Sequence, residues 1–205
     1  MANAEISLRF GYEAPRSDSQ HVAAKKFDEL LKDKTKGEIK LKLFPDSTLG
    51  NAQTMISGVR GGTIDIEMSG SPNFTGLEPK LNVIDIPFIF KDREHVYKVL
   101  DGEIGQGLLQ DLEKQGLKGL AFWDVGFRAF SNSKHAVNKP EDIKGLKVRT
   151  NQNPMYIKPS AYWAVTRCRC RFPNFIPHLK PVRWMHKNIQ SVFSGRQNCM
   201  KCKNI

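Results

Sequence analysis

The chain has 205 residues, with 32 Lys and Arg against 21 Asp and Glu and a formal net charge of +11. This length allows one or two domains with a sizeable buried core. Residues 1–157 hold 22 of the basic residues and all 21 acids, whereas residues 158–205 hold 10 basic residues and no acid. The positive charge therefore belongs to the last quarter of the chain and does not describe the molecule as a whole.

The first ten residues, MANAEISLRF, contain no apolar run long enough for a signal peptide or a membrane-spanning helix. Ala2-Asn3-Ala4 nevertheless has the small-x-small form that signal peptidase leaves just before a mature chain. We therefore expect that a signal peptide is missing from the chain as written, because an upstream start codon was overlooked or because the peptide was removed.

The next segments alternate between strand and helix patterns. Apolar residues predict a buried strand over 6–12 and a helix over 21–34, where they recur at helical spacing. A second strand, a second helix and a third strand follow over residues 39–44, 51–60 and 64–68. This βαβαβ order predicts parallel strands joined by crossover helices, with ligand loops at the carboxyl ends of the strands.

Polar residues follow the first and third of these strands. Glu13 comes directly after the first strand and could contact a ligand or cap the following helix. Ser69, Gly70 and Asn73 come after the third strand, where a glycine permits close approach of the backbone and small polar side chains can bond hydroxyl groups. These two loops are the predicted ligand-binding edge of the sheet.

Residues 81–90 form an apolar run that contains a proline, and residues 93–115 predict one amphipathic helix with three internal glycines. A further strand is predicted over 117–123, in which Phe122 and Trp123 are expected in the core and not stacked on a ligand. Three histidines lack an acid or a cysteine at metal-ligand spacing, and we expect them at the surface: His21, His95 and His135.

Two arginines occur on later strand-like segments. Residues 140–145 predict a helical turn closed by glycine, and the alternating residues 146–150 predict a strand that ends near Arg149. A guanidinium group can hold a carboxylate by two parallel hydrogen bonds, which lysine cannot imitate. Arg128, in GFRAFSN, could supply a second cation. Most arginines on strands are solvated or ion-paired at the surface, so the pattern alone leaves that alternative open.

Longer segments resemble the DctP-like periplasmic solute-binding subunits of tripartite ATP-independent periplasmic (TRAP) transporters. The matching segments cover residues 5–157 almost without interruption, and they are LRFGYEAPRSDSQHVAAKKF, GEIKLKLFPDSTLGNAQTMISGVRGGTIDIEMSG, NVIDIPFIF and GLKVRTNQNPMY. The resemblance implies a two-lobed α/β fold like that of periplasmic binding proteins, which closes like a hinge around its ligand. It also implies that the arginine of GLKVR, here Arg149, anchors the ligand carboxylate.

The resemblance implies further roles for the other candidates. Arg128 would give a second contact, and Glu13, Ser69 and Asn73 would bond hydroxyl or carbonyl groups. The likeness is strongest to members that bind 2,3-diketo-L-gulonate, so the expected ligand is that sugar acid, with another sugar acid or a C4-dicarboxylate as the alternative. The intact parent would act in the periplasm as a monomer without a cofactor, and it would deliver its ligand to the small and large membrane permease subunits.

The sequence contains no glycine-rich phosphate loop, no GxSxG elbow and no HExxH pair. Together with the resemblance, this predicts a binding protein and not an enzyme.

The tail differs abruptly from what precedes it. Residues 158–205 contain all four cysteines, two of the three tryptophans, four prolines and no acid. A zinc site would use the CxC and CxxC pairs formed by Cys168, Cys170, Cys199 and Cys202, but a CxC pair with so long a gap is an uncommon zinc spacing. A nucleic-acid site would use the neighbouring arginines and tryptophans for phosphate and stacking contacts. Both remain minor alternatives.

A shifted reading frame explains the tail better. When the last base of each codon is joined to the first two bases of the next, residues 166–172 allow Pro-Val-Pro-Met-Pro-Phe and residues 183–190 allow Val-Asp-Ala-Gln-Glu-His-Pro. Residues 200–205 allow Glu-Val-Gln-Lys-Tyr, and several of these triplets are forced by the genetic code. These strings resemble the PMPF, VDxQEHP and EVQK segments of the family. The hypothesis is that residues from about Lys158 onward are out of frame.

These observations predict three parts. Residues 1–124 are an incomplete first α/β lobe, residues 125–157 begin the second lobe with the carboxylate-binding arginines, and residues 158–205 are a disordered basic tail. The predicted product is a truncated and defective solute-binding subunit.

Overall fold

A three-stranded parallel sheet with a helix on each face forms the start of the structure. The computed structural model describes residues 5–127, 132, 134–149, 153, 155 and 166–168, with the backbone alone for 147–149 and 166–168. The first elements are β1 (Ile6–Tyr12), α1 (Ser19–Lys34), β2 (Ile39–Phe44), α2 (Ala52–Arg60) and β3 (Ile66–Met68). The predicted βαβαβ unit is confirmed, with a third strand shorter than expected.

β1 lies at the centre of the sheet, whose order is β2-β1-β3. It pairs in parallel with both neighbours, so that Ile6 lies opposite Ile39 and Phe10 lies opposite Ile66. Parallel neighbours require crossover connections, which α1 and α2 supply. Both helices begin at polar caps: the Asp18 side chain accepts a hydrogen bond from the Gln20 amide, and Asn51 caps α2 in the same way.

The two faces of β1 pack against different helices. Phe10 and Tyr12 are buried on the α1 side in a cluster with Ala14, Ala24 and Leu41. Gly11 lies between them and faces α2, because a Cβ placed on it would lie 2.9 Å from the Met55 sulfur. This alternation is the period of two of a strand, and the small residue lets α2 approach the sheet closely.

His21 corrects one prediction. It was expected at the surface, but it is buried in the first turn of α1, on the same helical stripe as Ala24. Its Nδ1 lies 2.5 Å from the Tyr12 hydroxyl, and this hydrogen bond satisfies the polar ring inside the core. His95 and His135 are exposed, as expected.

The predicted single helix over 93–115 is wrong. The chain instead forms α3 (Arg93–Leu100) and α4 (Glu103–Asp111), followed by a 3-10 turn over Leu112–Gln115. The cause is a tight corner: a Cβ on Gly105 would lie 1.9 Å from the Leu100 carbonyl oxygen, so α4 comes against the end of α3 where only glycine fits.

The predicted strand over 117–123 is also wrong, since the structure assigns no strand to these described residues. Some of their apolar side chains pack in the core although their backbone is not paired in a sheet. Leu117 is buried in a second core cluster with Ile56 and Leu108, and Phe122 packs against that cluster. Trp123 is 39% exposed and meets the rings of Phe10 and Phe27 edge-on. The apolar character of this segment therefore predicted the packing of Leu117 and Phe122 but not the absence of a paired strand.

The later part of the described chain contains a second, two-stranded sheet. A 3-10 turn at Pro140–Ile143 is followed by Gly145 at φ +77° and by β4 (Lys147–Arg149). β4 pairs in parallel with β5 (Thr166–Cys168). The predicted turn and strand are confirmed. β5 lies inside residues 158–205, and the rest of that segment lies outside the described residues, so the expectation of a disordered tail stays a prediction.

Two glycines of α4 provide a matched test of the corner. Gly105→Ala should lower the free energy of unfolding by about 1–3 kcal/mol, because the new methyl group meets the backbone of α3. Gly107→Ala has open space around its Cβ position and should raise the free energy of unfolding by about 0.5–1 kcal/mol. Urea denaturation of the two variants and the parent measures both effects. A similar small effect for both substitutions would contradict the close corner.

Candidate ligand site at the carboxyl ends of the strands

The carboxyl ends of β1 and β3 bring three polar side chains to one edge of the sheet. Gly11 lies opposite Glu67 in the parallel register, and both belong to the α2 face. Because side chains alternate along a strand, Glu13 and Ser69 continue the same face beyond the strand ends. Glu13 and Ser69 were predicted as site residues, and Glu67 was missed. The signal for Glu67 was a carboxylate placed between Ile66 and Met68 in a buried strand.

Glu13 acts as a helix cap in the structure. Its Oε1 accepts a hydrogen bond of 3.3 Å from the Ala52 amide, at the first residue of α2. A carboxylate is favoured there because the free amides and the helix dipole give the N-terminus a partial positive charge. Capping was one of the two predicted roles, although α2 and not the following helix is capped. A ligand contact by Glu13 stays a prediction.

Glu67 is the most perturbed carboxyl group of this edge. Its Oε2 accepts a 2.6 Å hydrogen bond from the Ser69 hydroxyl, and its Oε1 is buried with no hydrogen-bond partner among the described residues. The pKa of Glu67 is raised from its ordinary value of 4.5 to about 7, mainly because burial disfavours the charged form; the Ser69 hydrogen bond lowers this pKa and the nearby charge of Glu13 raises it. Glu67 therefore gains or loses its proton near neutral pH.

Asn73 lies in a 3-10 turn, Ser71–Asn73, directly after this edge. Its carbonyl oxygen accepts a 2.9 Å hydrogen bond from the Gln53 side chain of α2, which fixes the turn against the helix. Asn73 is half-buried. The structure thus places the predicted residue on the turn that borders the Glu13 and Ser69 edge, and its ligand contact stays a prediction.

Asp85 connects this turn to the segment after β4. Its Oδ1 accepts a 3.1 Å hydrogen bond from the Ser71 hydroxyl, and its Oδ2 accepts a 3.0 Å bond from the Asn153 amide. Asn153 is only 1% exposed, and its own oxygen accepts from the Met155 amide at 2.7 Å. Sequence analysis missed both residues. An acid inside the apolar run 81–90 was the available signal, because a buried charge needs partners.

Of the two predicted carboxylate-binding arginines, the structure describes the backbone of Arg149 but not Arg128. Arg149 is the last residue of β4, where its backbone lies opposite Cys168 of β5. This agrees with the predicted position at the carboxyl end of a strand. Arg128 lies outside the described residues, as do Cys170, Cys199 and Cys202 of the zinc alternative.

Within the described ranges, no three His, Cys, Asp or Glu residues come together as a metal site. None of the helices in that part of the chain is both long and apolar enough to cross a membrane.

The raised pKa of Glu67 predicts a pH dependence of stability. Its pKa of about 7 in the folded state lies above the ordinary value of 4.5. As the pH rises above 4.5, the unfolded chain ionises this group more easily than the folded chain, and the folded state loses stability. The free energy of unfolding should fall by up to about 3 kcal/mol between pH 5 and pH 8 through this group, since each pKa unit is worth about 1.4 kcal/mol. Glu67→Gln should lose that decline in urea titrations at several pH values. Glu29→Gln, at an exposed position of α1, should keep it, and equal slopes for the parent and Glu67→Gln would contradict the assignment.

Comparison with known proteins identifies relatives for most of the chain. The family DctP, bacterial extracellular solute-binding protein family 7, matches residues 10–166. A protein of Haemophilus influenzae is 90% identical over 157 residues, which are 77% of this chain and 48% of that protein. The 2,3-diketo-L-gulonate-binding periplasmic protein YiaO of Escherichia coli is 63% identical over 151 residues, which are 74% of this chain and 46% of that protein.

A solved structure gives the same answer for the fold. The TRAP periplasmic solute-binding protein of Polaromonas sp. JS666, crystallised with D-erythronate, superposes with a TM-score of 0.80 at 35% identity, over 84% of this chain and 57% of that one. The chain spans about half the length of the curated relatives it matches. The predicted α/β fold of a TRAP solute-binding protein is confirmed. The chain belongs to the DctP family of TRAP solute-binding proteins.

Proposed function

We propose that this chain derives from an extracytoplasmic subunit that captures a sugar acid for a TRAP transporter, with 2,3-diketo-L-gulonate or a close analogue as the ligand. The observation that carries the proposal is the 63% identity to a protein named for binding that compound. The D-erythronate in the Polaromonas structure is also a sugar acid. The subunit would work in the periplasm and would pass its ligand to the two membrane permease subunits, without catalysis of its own.

In the proposed binding mode, arginines bind the carboxylate of the ligand and other polar side chains bind its hydroxyl and carbonyl groups. Arg149 would hold the carboxylate by two parallel charge-assisted hydrogen bonds, and Arg128 would contact the acid or a neighbouring oxygen. Glu13, Ser69 and Asn73 would bond the hydroxyl and carbonyl groups of the chain of the sugar acid. Support comes from the placement of Glu13 and Ser69 on one sheet edge, with Asn73 on the bordering turn. Closure of two lobes would then exclude water and strengthen the ion pair.

We further propose that the reading frame shifts near codon 158, so that this chain lacks most of the second lobe. The acid-free composition of residues 158–205 and the sensible alternative translation support the shift. The family match also stops at residue 166, although the chain continues to residue 205. The product as written would then be a defective binder, because segments bearing the family's VDxQEHP motif are lost.

Resequencing of the gene and its transcript from codon 150 to beyond codon 205 tests the frame. We expect a single gained or lost base near codon 158, after which the restored frame continues into the PMPF and VDxQEHP segments. Confirmation of the written frame, together with a downstream sequence that does not resemble the family in any frame, would contradict the shift.

Ligand binding tests the function in a chain with the restored frame. Its thermal unfolding midpoint should rise with 2,3-diketo-L-gulonate, and less with D-erythronate or succinate. Arg149→Ala should weaken binding by about 100-fold or more, and Arg149→Lys should recover little of the loss, because the bidentate geometry is gone. Arg93→Ala is the matched control, since that side chain is exposed and paired only with Asp124 at 3.5 Å in the described part. No midpoint shift with any sugar acid or dicarboxylate would overturn the proposed function.

A further inference from the structure

A buried carboxyl group lies behind a proposed ligand contact. Glu67 is bonded to Ser69 at 2.6 Å, on the sheet edge where Ser69 is expected to meet the ligand. Ser69 and Glu67 are both half-buried, but Oε1 of Glu67 is covered and has no hydrogen-bond partner among the described residues. Its other oxygen, Oε2, is bonded to Ser69, so Glu67 can act on the site through that hydroxyl group. The proposed ligand chemistry makes no use of it.

The Glu67–Ser69 hydrogen bond has two forms that differ in direction. When Glu67 is ionised, the Ser69 hydroxyl must donate to Oε2, and Ser69 can offer only lone pairs to a ligand. When Glu67 carries a proton on Oε2, that proton is donated to the Ser69 oxygen. The hydroxyl proton of Ser69 is then free to be donated to a ligand oxygen. A distance of 2.6 Å suits a bond between two oxygens in either form.

The groups around Glu67 favour the neutral form near pH 7. Gly11, its partner on β1, contributes no side chain, and Glu13 contributes a second negative charge from the loop after β1. From α2, the apolar Met55 packs against Gly11, and the only basic residue of that helix, Arg60, lies at its far end and bonds the Gln115 carbonyl. No basic side chain contributes to the electrostatic environment described for Glu67. These surroundings therefore stabilise the protonated carboxyl group of Glu67 relative to the carboxylate.

We propose that Glu67 is a positioning residue that sets the direction of the hydrogen bond made by Ser69. When Ser69 donates a hydrogen bond to an acceptor oxygen of a sugar acid, Glu67 must be protonated, so binding of that ligand takes up a proton at Glu67. The inference rests on the proposed function. It adds a chemical preference to that function: the protonated site favours a ketone or carboxylate oxygen, which can only accept. The ionised site favours a hydroxyl group, which can donate. A keto sugar acid should therefore bind best below neutral pH.

The proton can be observed in the 205-residue chain without any ligand. A carbon-13 NMR titration should show Glu67 changing state near pH 7, with Ser69→Ala moving its pKa upward and Glu13→Gln moving it downward. Gln keeps the oxygen that caps α2, so the second variant removes only the charge. Titration of Glu67 at an ordinary carboxyl pH, or no response to Ser69→Ala, would overturn the inference.

Calorimetry of the restored-frame chain tests the link to the ligand. If only the neutral form donates to 2,3-diketo-L-gulonate, affinity should fall about 30-fold between pH 6 and pH 8.5, with proton uptake seen as a dependence of the binding heat on the buffer. Glu67→Gln, whose amide donates to Ser69 at every pH, should bind at pH 8.5 as the parent does at pH 6. Glu29→Gln should keep the parent's pH profile.

The two possible failures are distinct. Binding with the same affinity at all pH values and no proton uptake would overturn this inference and leave the proposed function standing. An absence of binding at every pH would overturn the proposed function itself, and the ligand link with it.

Discussion

β1 is hydrogen-bonded to a neighbouring strand along each of its edges, and this double pairing fixes which of its side chains face α1 and which face α2. Phe10 and Tyr12 fill the core against α1, while Gly11 between them leaves room for α2. Glu13 lies on the α2 face and bonds the N-terminus of that helix, and Glu67 lies on the same face opposite Gly11. Because side chains on a strand alternate strictly, a slip of one residue would exchange the core and the ligand edge. The site is thus fixed by the packing beneath it.

The contrast between Glu13 and Glu67 shows how burial sorts two neighbouring acids. Glu13 has an amide of α2 as a partner, whereas Glu67 has one serine hydroxyl and a covered, unpartnered oxygen. An ionised carboxyl in the second setting is poorly solvated, and the charge of Glu13 adds repulsion. Two acids of one edge therefore differ in what they can do: one holds a helix in place, and the other can exchange a proton.

Local patterns predicted β1, α1, β2 and α2 because apolar spacing and polar caps act within a few residues. They failed where one particular contact decides the outcome. The corner between α3 and α4 depends on Gly105 meeting the Leu100 carbonyl, and the burial of His21 depends on the Tyr12 hydroxyl. Neither contact has a periodic signature. The strand over 117–123 was wrong for a related reason, since apolar residues indicate burial of side chains and do not supply a backbone pairing partner.

The candidate site, like the fold, was predicted only in part from the sequence. Strand ends and small polar residues indicated Ser69 and Glu13 as candidates, but the role proposed for Arg149 comes from family resemblance, because an arginine on a strand is usually a surface residue. Glu67 and Asp85 were visible only as acids among apolar neighbours. Their partners, Ser69 and Asn153, lie 2 and 68 residues away, and the second of these distances is beyond any local rule.

The bond from Asn153 to Asp85 has a consequence for synthesis on the ribosome. Asp85 emerges first, and the amide that bonds its Oδ2 follows only 68 residues later. The first sheet can form as soon as β3 has left the exit tunnel, but the apolar run around Asp85 must await residues beyond β4. Such late contacts slow folding and prolong the exposure of apolar surface. During synthesis of this chain, the segment around Asp85 thus depends on a residue that follows β4.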